Sequence, residues 1–214
     1  MLTTVAALAA AGLPAGPPQP QAAPAADEWM RLLGSVPLDP ALRRGGDAGY
    51  MIILQVADAE AERARAEGLG VRVVDDIDRP DYRCAHFHPA DFGGVLVSFD
   101  QQRTTSDIHE PYGDWFPAGQ DWRGHRTDTV QDITAVELST ADPAGLARRW
   151  AELIARPLDP ANPLCLPLDK GEIRFVQGAP DAPTSIAVIE LKVANPAAAW
   201  PAGPIGGVEF RAVR

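Results

Sequence analysis

The sequence predicts an α+β fold made of two paired modules, each with the element order β-α-β-β-β. Three segments begin alike: "IILQVADAEAERARAE" at Ile52, "AVELSTADPAGLARRWAE" at Ala135 and "VIELKVANPAAAW" at Val188. In each segment a β-rich run ends in Ala and then Asp or Asn, and Ala-rich, helix-forming sequence follows. Three further strand-like runs follow each of the first two helices, so the β-α-β-β-β pattern occurs twice.

The helix starts are predicted by capping residues at the end of each repeated strand. Asp58, Asp142 and Asn195 can accept hydrogen bonds from the free amides of a first helical turn. Pro143 and Pro196 then occupy the first helical position, where the N–H that proline lacks would have no partner within the helix. The second helix has the clearest apolar face, with i, i+4, i+7, i+8 spacing at Leu146, Trp150, Leu153 and Ile154. Pro201 and Pro204 cut the third copy short.

The remaining elements divide the chain into four parts. Residues 1–45 are an Ala- and Pro-rich N-terminal arm with one short helix, and residues 46–102 are module one, whose later strands are "VRVVDDI", "YRCAHFH" and "GGVLVSFD". Residues 103–131 form an aromatic linker. Residues 132–214 are module two, with the strands "LCLPL", "EIRFV" and "SIAVIELKV" and an extra C-terminal strand, "GVEFRAV".

Composition and charge exclude several classes of partner. The formal net charge of −10 argues against a nucleic-acid-binding face, because phosphate binding needs clustered Lys and Arg. No apolar run is long enough to span a membrane. The uncharged N-terminus lacks the basic region that a secretion signal normally has, and Cys84 and Cys165 match no zinc spacing or CxxC pattern. We therefore expect a cytoplasmic protein with a small-molecule ligand.

The stretch "YRCAHFHPADFGGVLVSFD" is the strongest candidate for a site. If "YRCAHFH" is a strand, His86 and His88 share one face with Tyr82 and Cys84. The next strand returns antiparallel, so Leu96, Ser98 and Asp100 can lie on that face too, although a one-residue slip in register would exchange the faces. A face this rich in reactive side chains fits the cavity side of a cupped sheet.

Three interpretations of the histidine pair stay open. His86 and His88 can bind a divalent metal such as Zn, Fe, Mn or Ni, with Asp100 or Glu137 completing the site. Without a metal, they can act as catalytic acid and base beside a carbonyl. They can also be structural, hydrogen-bonded to loop carbonyls at the sheet edge.

Other candidate residues would contact a substrate. Arg83 can clamp a carboxylate or form a salt bridge to the nearby run of Asp75, Asp76 and Asp78. Ser98 is a candidate on the next strand. Trp122 in the linker can stack on a planar ligand or pack the linker against the sheet.

The twice-repeated βαβββ unit resembles the vicinal-oxygen-chelate superfamily, which contains glyoxalase I, bleomycin-resistance proteins and extradiol dioxygenases. The stretches "RRGGDAGYMIILQVAD", "YRCAHFHPADFGGVLVSFDQ" and "LDKGEIRFV" carry the likeness. The resemblance implies a glyoxalase-like open barrel with a cupped cavity. It places metal ligands on the first and last strands of each module, which here gives Met51, a position near Ala135, Ser98 or Asp100, and Glu190. Met51 and Ala135 cannot bind a divalent cation as those enzymes do.

The resemblance leaves two functions to compare. The first is a lyase or isomerase acting on a small carbonyl or carboxylate compound, with His86 and His88 as the acid-base or metal pair and Asp100 as a further ligand or orienting group. The alternative is a non-enzymatic binder of the bleomycin-resistance type that sequesters an aromatic or cationic molecule. Because these folds also pair modules between chains, a homodimer is a further expectation.

Overall fold

Within the residues that the computed structural model describes, 2–10, 48–110, 112–119, 121–126, 128–195 and 203–214, the chain forms ten strands and two α-helices. The first strand is β1 (Leu2–Ala10). Module one follows as β2 (Ala48–Val56), α1 (Ala59–Gly68), β3 (Val73–Asp78), β4 (Tyr82–Phe87) and β5 (Leu96–Gln102). Module two follows as β6 (Val130–Thr140), α2 (Pro143–Ile154), β7 (Cys165–Pro167), β8 (Glu172–Gln177) and β9 (Ser185–Val193), and β10 (Glu209–Val213) comes last. Both modules therefore have the predicted element order.

Both helices begin at the predicted caps. The Asp58 side chain accepts a hydrogen bond from Ala61 N at 3.0 Å, and the Asp142 side chain accepts one from Gly145 N at 2.9 Å. Each bond satisfies an amide that has no partner within its own helix. The Asp residue at the end of each repeated strand thus fixes where the following helix begins.

The sheet of module one has the order β3-β4-β5-β2. Neighbouring strands in this sheet are antiparallel, except that β2 and β5 run parallel. In that parallel pair Ile53 lies opposite Ser98. Between β4 and β5, His86 lies opposite Ser98 and Cys84 lies opposite Asp100. This register confirms that Ser98 and Asp100 share a face with His86.

The sheet of module two is arranged differently. Its first strand, β6, lies between β8, with which it pairs in parallel, and β9, with which it pairs antiparallel. In module one the first strand instead pairs in parallel with the last strand. On its other edge β9 pairs in parallel with β10. The third copy of the repeat thus starts a further parallel strand pair. The helix start predicted at Pro196 lies outside the described residues.

The two mixed sheets are open and meet at a narrow seam. Between β2 and β9 the one paired position is Gly49 opposite Ile186. A Cβ atom at Gly49 would lie 2.8 Å from Ile186 Cβ and 2.9 Å from Val208 Cγ2. The missing side chain is therefore what lets the two sheets approach each other.

The hydrophobic core lies between the sheets and the two helices. Trp150 of α2 is fully buried, and its Nε1 donates a 3.0 Å hydrogen bond to the Phe92 carbonyl. Its ring packs edge-on against Phe92 and Phe175, with centroids 5.3 Å and 6.0 Å away. Because the core uses the helix-facing side of each strand, the opposite side is left for a site.

The ends of the chain are described only in part. Of the arm predicted over residues 1–45 with its one short helix, the structure describes β1, which pairs antiparallel with β2 from Leu2 opposite Val56 to Ala10 opposite Ala48. The rest of that arm lies outside the described residues. No helix in the described ranges is long and apolar enough to cross a membrane.

Candidate functional site

The face of the module-one sheet opposite α1, called here the inner face, carries the polar residues of the stretch "YRCAHFHPADFGGVLVSFD". Strand alternation directs Ile52, Leu54, Ala85, Phe87, Val97 and Phe99 into the helix-side core. The residues between them form the inner face: Met51, Ile53, Tyr82, Cys84, His86, Leu96, Ser98 and Asp100. All eight are buried. Buried polar side chains need hydrogen-bonding partners. Each of the five polar side chains on this face has at least one such partner: Tyr82, Cys84, His86, Ser98 and Asp100.

Asp100 is the centre of a buried hydrogen-bond network. Tyr82 donates its hydroxyl to Asp100 Oδ2, and Ser98 donates its hydroxyl to Asp100 Oδ1. Burial raises the pKa of Asp100 to about 6, even though both hydrogen bonds lower it. Burial also raises the pKa of Tyr82 far above its usual range, with the Asp100 charge adding to the effect. A carboxyl group that changes protonation near neutral pH is suited to proton transfer.

A second group of titratable residues, Cys84, His86 and Asp75, lies beside this network. Cys84 Sγ lies 3.8 Å from His86 Nε2, and His86 Nδ1 lies 3.4 Å from Asp75 Oδ2 on the neighbouring β3. The interaction with His86 holds the pKa of Asp75 below its usual range. Burial raises the pKa of the Cys84 thiol, so the sulfur stays protonated and unreactive. His86 is thus held between a thiol and a carboxylate.

His88 does not join His86, which corrects the prediction that the two rings share a face. Strand β4 ends at Phe87, so the alternation of faces no longer applies to the next residue. His88 instead caps a 3-10 turn, Pro89–Phe92, where its Nδ1 accepts from Ala90 N at 3.2 Å. The same nitrogen lies 3.2 Å from Arg72 Nη2. The imidazole stabilises a turn at the sheet edge.

The expected metal ligands are not brought together. His86 and Asp100 lie on the inner face and His88 caps its turn, whereas Glu137 belongs to module two. Glu137 Oε1 is 2.9 Å from Arg211 Nη1 and 3.5 Å from Arg174 Nη1. In the ranges that the structure describes, no group of three His, Cys, Asp or Glu side chains is placed to hold a metal ion. The described donors therefore do not fit the divalent metal that the resemblance implies.

Arg83 lies on the helix side of β4 and does not reach the inner face. Its guanidinium donates to Asp76 on β3 and, at 2.6 Å, to Glu60 on α1. These bonds raise the pKa of Arg83, and its side chain is almost completely buried. Arg83 is therefore not placed to bind a substrate on the inner face, as the sequence predicted. It instead links the sheet to α1.

A cavity of about 240 Å³ lies beneath the linker and is called here the linker cavity. It is lined by two tryptophans, three acidic residues and three others: Trp115, Trp122, Asp107, Glu110, Asp114, Gln55, Thr105 and Gly113. Trp115 packs against Met51, Ile53 and Leu96 of the inner face. Trp122, a predicted contact residue, is thus placed on a cavity wall. The structure adds Gln55 and the three acidic residues, which sequence reasoning did not single out.

The linker cavity adjoins the Asp100 network. Gln55 of β2 lies directly opposite Asp100 of β5. Beside it, the Phe116 ring stacks on Tyr82 with centroids 4.7 Å apart, and the Arg79 guanidinium lies 4.5 Å from the centre of the Phe116 ring. The linker therefore covers the same end of the inner face at which the raised-pKa carboxyl is buried.

Comparisons with known proteins identify the fold. No family model and no curated protein matches the chain. A hypothetical protein from Staphylococcus aureus superposes with a TM-score of 0.58 at 15% identity, over 84% of this chain and 72% of that one. A triple mutant of 4-hydroxymandelate synthase from Streptomyces coelicolor gives a TM-score of 0.52 at 12% identity, over 75% and 54%.

A third similar structure is the Mn(II)-bound glyoxalase from Novosphingobium aromaticivorans, with a TM-score of 0.44 at 15% identity over 69% of this chain and 47% of that one. The chain spans about half the length of the synthase and of the glyoxalase. At these identities the likeness concerns the fold. The chain shares its α+β fold with the Staphylococcus aureus protein and with the synthase, in agreement with the fold class predicted from its sequence.

Proposed function

We propose that this chain binds a small molecule in the linker cavity, a non-enzymatic use of the scaffold of the bleomycin-resistance type. The observation that carries the proposal is a cavity of about 240 Å³ walled by Trp115 and Trp122. Binding pockets usually combine apolar walls with a few polar groups that orient the ligand. Gln55 supplies such a group at the sheet side of this cavity.

The size and walls of the cavity favour a compact, planar or apolar ligand. Its volume of about 240 Å³ is slightly below the usual range for ligand sites, roughly 300–1,000 Å³. Indole rings give large contact areas at little entropic cost, and stacking on a ligand ring adds about 0.5–1.5 kcal/mol beyond the buried area. A compound with a single substituted ring fits these limits.

A fluorescence titration with a panel of single-ring compounds tests the proposal. A compound that binds should change tryptophan emission, and Trp115→Leu should weaken its binding by about tenfold, because one stacked ring is lost while apolar contact with Met51 and Leu96 is kept. His86→Ala serves as the matched control, since His86 is buried but does not line the cavity. Equal affinities of the wild type and Trp115→Leu would refute the cavity as the binding site.

A second candidate function is a lyase or isomerase acting on a small carbonyl or carboxylate compound. Asp100, whose pKa is raised to about 6, lies opposite the cavity residue Gln55 and is hydrogen-bonded by Tyr82 and Ser98. A protonated carboxyl there can donate a proton to a ligand carbonyl, with His86 as a further proton-transfer group. This candidate is supported by the network and not by a metal site.

Product analysis separates the two functions. A compound that binds is incubated with equimolar wild-type protein and with Asp100→Asn, and its recovery is followed by mass spectrometry. Conversion by the wild type alone, with binding kept in the variant, would support the enzyme. Unchanged recovery with both proteins would support the binder. A homodimer, a cytoplasmic location and the lack of nucleic-acid and membrane partners stay predictions.

A further inference from the structure

The middle of the linker forms a unit that its own contacts hold together. This unit, called here the strap, consists of residues 112–119 and 121–126. Arg123 Nε donates a 2.8 Å hydrogen bond to the Tyr112 carbonyl, and the Arg126 guanidinium lies 4.0 Å from the centre of the Tyr112 ring. Because these contacts join the two ends of the strap to each other, it can move as one body.

Two neighbouring aromatic residues attach the strap to module one. Trp115 packs against the small apolar cluster of the inner face, which is separate from the main core. The Phe116 ring stacks on Tyr82 with centroids 4.7 Å apart, and the Arg79 guanidinium lies 4.5 Å from the centre of the Phe116 ring. A hydrogen bond of 3.4 Å from Phe116 N to Gln102 Oε1 is part of the same attachment.

The residues beneath the strap are more buried than the strap itself. Tyr82, Cys84 and Asp100 lie on the inner face and are almost completely shielded from solvent. By contrast, every described residue of the strap is partly or largely exposed. Since the Phe116 ring covers Tyr82, and Tyr82 is hydrogen-bonded to Asp100, lifting the strap would uncover this network from the Tyr82 side.

The closed position of the strap leaves a buried donor without a partner. Gln102 is 4% exposed, and its Oε1 accepts the hydrogen bond from Phe116 N. Its Nε2 is shielded from solvent and has no hydrogen-bond partner among the described residues. A buried donor of this kind has lost its hydrogen bond to water, and this loss opposes closure. The aromatic contacts therefore hold the strap closed against an opposing contribution.

We propose that the strap is a lid that opens and closes over the inner face, with the Phe116 ring as its latch. In the closed position Phe116 covers Tyr82 and keeps water and ligands away from the Asp100 network. In the open position Tyr82 and Gln102 contact solvent, and Gln102 Nε2 regains a partner. Closure therefore blocks the proton-transfer chemistry of the second candidate function, and opening permits it. This inference does not depend on what the linker cavity binds.

The labelling rate of Cys84 measures how often the strap opens, because this thiol is fully buried two residues from Tyr82 on the same face. The full chain, without ligand, is treated with N-ethylmaleimide, and peptide mass spectrometry follows Cys84 separately from Cys165. Opening of a short segment exposes little surface, so the Cys84 rate should rise by about threefold or less per 1 M urea. Labelling that requires global unfolding would rise by roughly thirtyfold per 1 M urea. That steep dependence, matching global unfolding measured by circular dichroism, would overturn the proposal.

Variants of Phe116 identify the strap as the part that opens. Phe116→Ala removes the ring that covers Tyr82 and should raise the Cys84 labelling rate by about tenfold, with the same weak urea dependence. Phe116→Tyr keeps a stacked ring and is the matched control, with a rate within about twofold of the wild type. An unchanged rate in Phe116→Ala would overturn the proposal, because another segment would then expose Cys84.

The wild-type measurement decides the proposal even where a variant does not fold, because the urea dependence needs no substitution. A Phe116→Ala rate that rises together with a steep urea dependence would also count against the lid, since the whole domain and not the strap would then be opening. All of these measurements are made without a ligand, so their outcome is separate from the titrations that test binding in the linker cavity.

Discussion

Replacing Asp100 by Asn is expected to change how the stability of the protein depends on pH. Asp100 is 1% exposed, and burial raises its pKa from the ordinary 3.8 to about 6 in the folded state. The folded protein therefore holds this proton more tightly than the unfolded chain does. The resulting stabilisation is fully present below about pH 4 and is lost as the pH rises through about 6.

The size of the effect follows from the shift. One pKa unit corresponds to about 1.4 kcal/mol, so a shift of about two units removes roughly 3 kcal/mol of unfolding free energy between about pH 4 and pH 8. Asn carries no charge at any of these pH values. Its side chain can still accept one hydrogen bond, from Tyr82 or from Ser98. Relative to the wild type, the variant should therefore gain stability as the pH rises.

Urea unfolding measures this difference at several pH values between about 4 and 8. The unfolding free energy of Asp100→Asn minus that of the wild type should rise by roughly 3 kcal/mol across the range, whereas the same difference for Asp128→Asn, which removes an exposed carboxylate, should stay nearly constant. A difference for Asp100→Asn that does not change with pH would refute the raised pKa. It would also remove the main support for the enzyme candidate.

Three further substitutions test the fold and the site. Trp150→Phe should lower the unfolding free energy by about 1–3 kcal/mol, because the hydrogen bond to the Phe92 carbonyl is lost, and thermal unfolding measures this. Gly93→Ala should cost a similar amount, about 1–3 kcal/mol, in the same assay, because Gly93 has a φ of 77° and a new Cβ would collide with the Leu146 side chain. His88→Ala should cost about 1 kcal/mol by loss of a cap and leave the metal content, measured by elemental mass spectrometry, unchanged.

Local signals explain why the order of elements could be predicted. Asp58 and Asp142 mark helix starts through contacts within four residues, and alternation along β4 and β5 places Cys84, His86 and Asp100 on one face. Pairing between strands is not local. Both "EIRFV" and "SIAVIELKV" have strand character, so the sequence alone does not reveal that β8, and not β9, lies parallel to β6.

The candidate site was predictable to a similar extent. His86, Ser98 and Asp100 follow from strand periodicity, but His88 lies one residue beyond the end of β4, where that periodicity ends. Arg83 pairs with α1 and β3, which is a tertiary contact. The acidic residues Asp107 and Glu110 lie in a loop with no repeating pattern, so only the folded chain brings them to one cavity with the tryptophans.

The parallel strand pairs have a consequence for the speed and order of folding. Each pair, β2 with β5, β6 with β8 and β9 with β10, forms only after the chain between its strands has closed into a loop. Loop closure costs entropy before any contact repays it, so such sheets fold in about milliseconds to seconds. Because all three pairs join strands near one another in sequence, each can form soon after its second strand leaves the ribosome. The seam at Gly49 and Ile186 joins distant parts of the chain and is expected to form last.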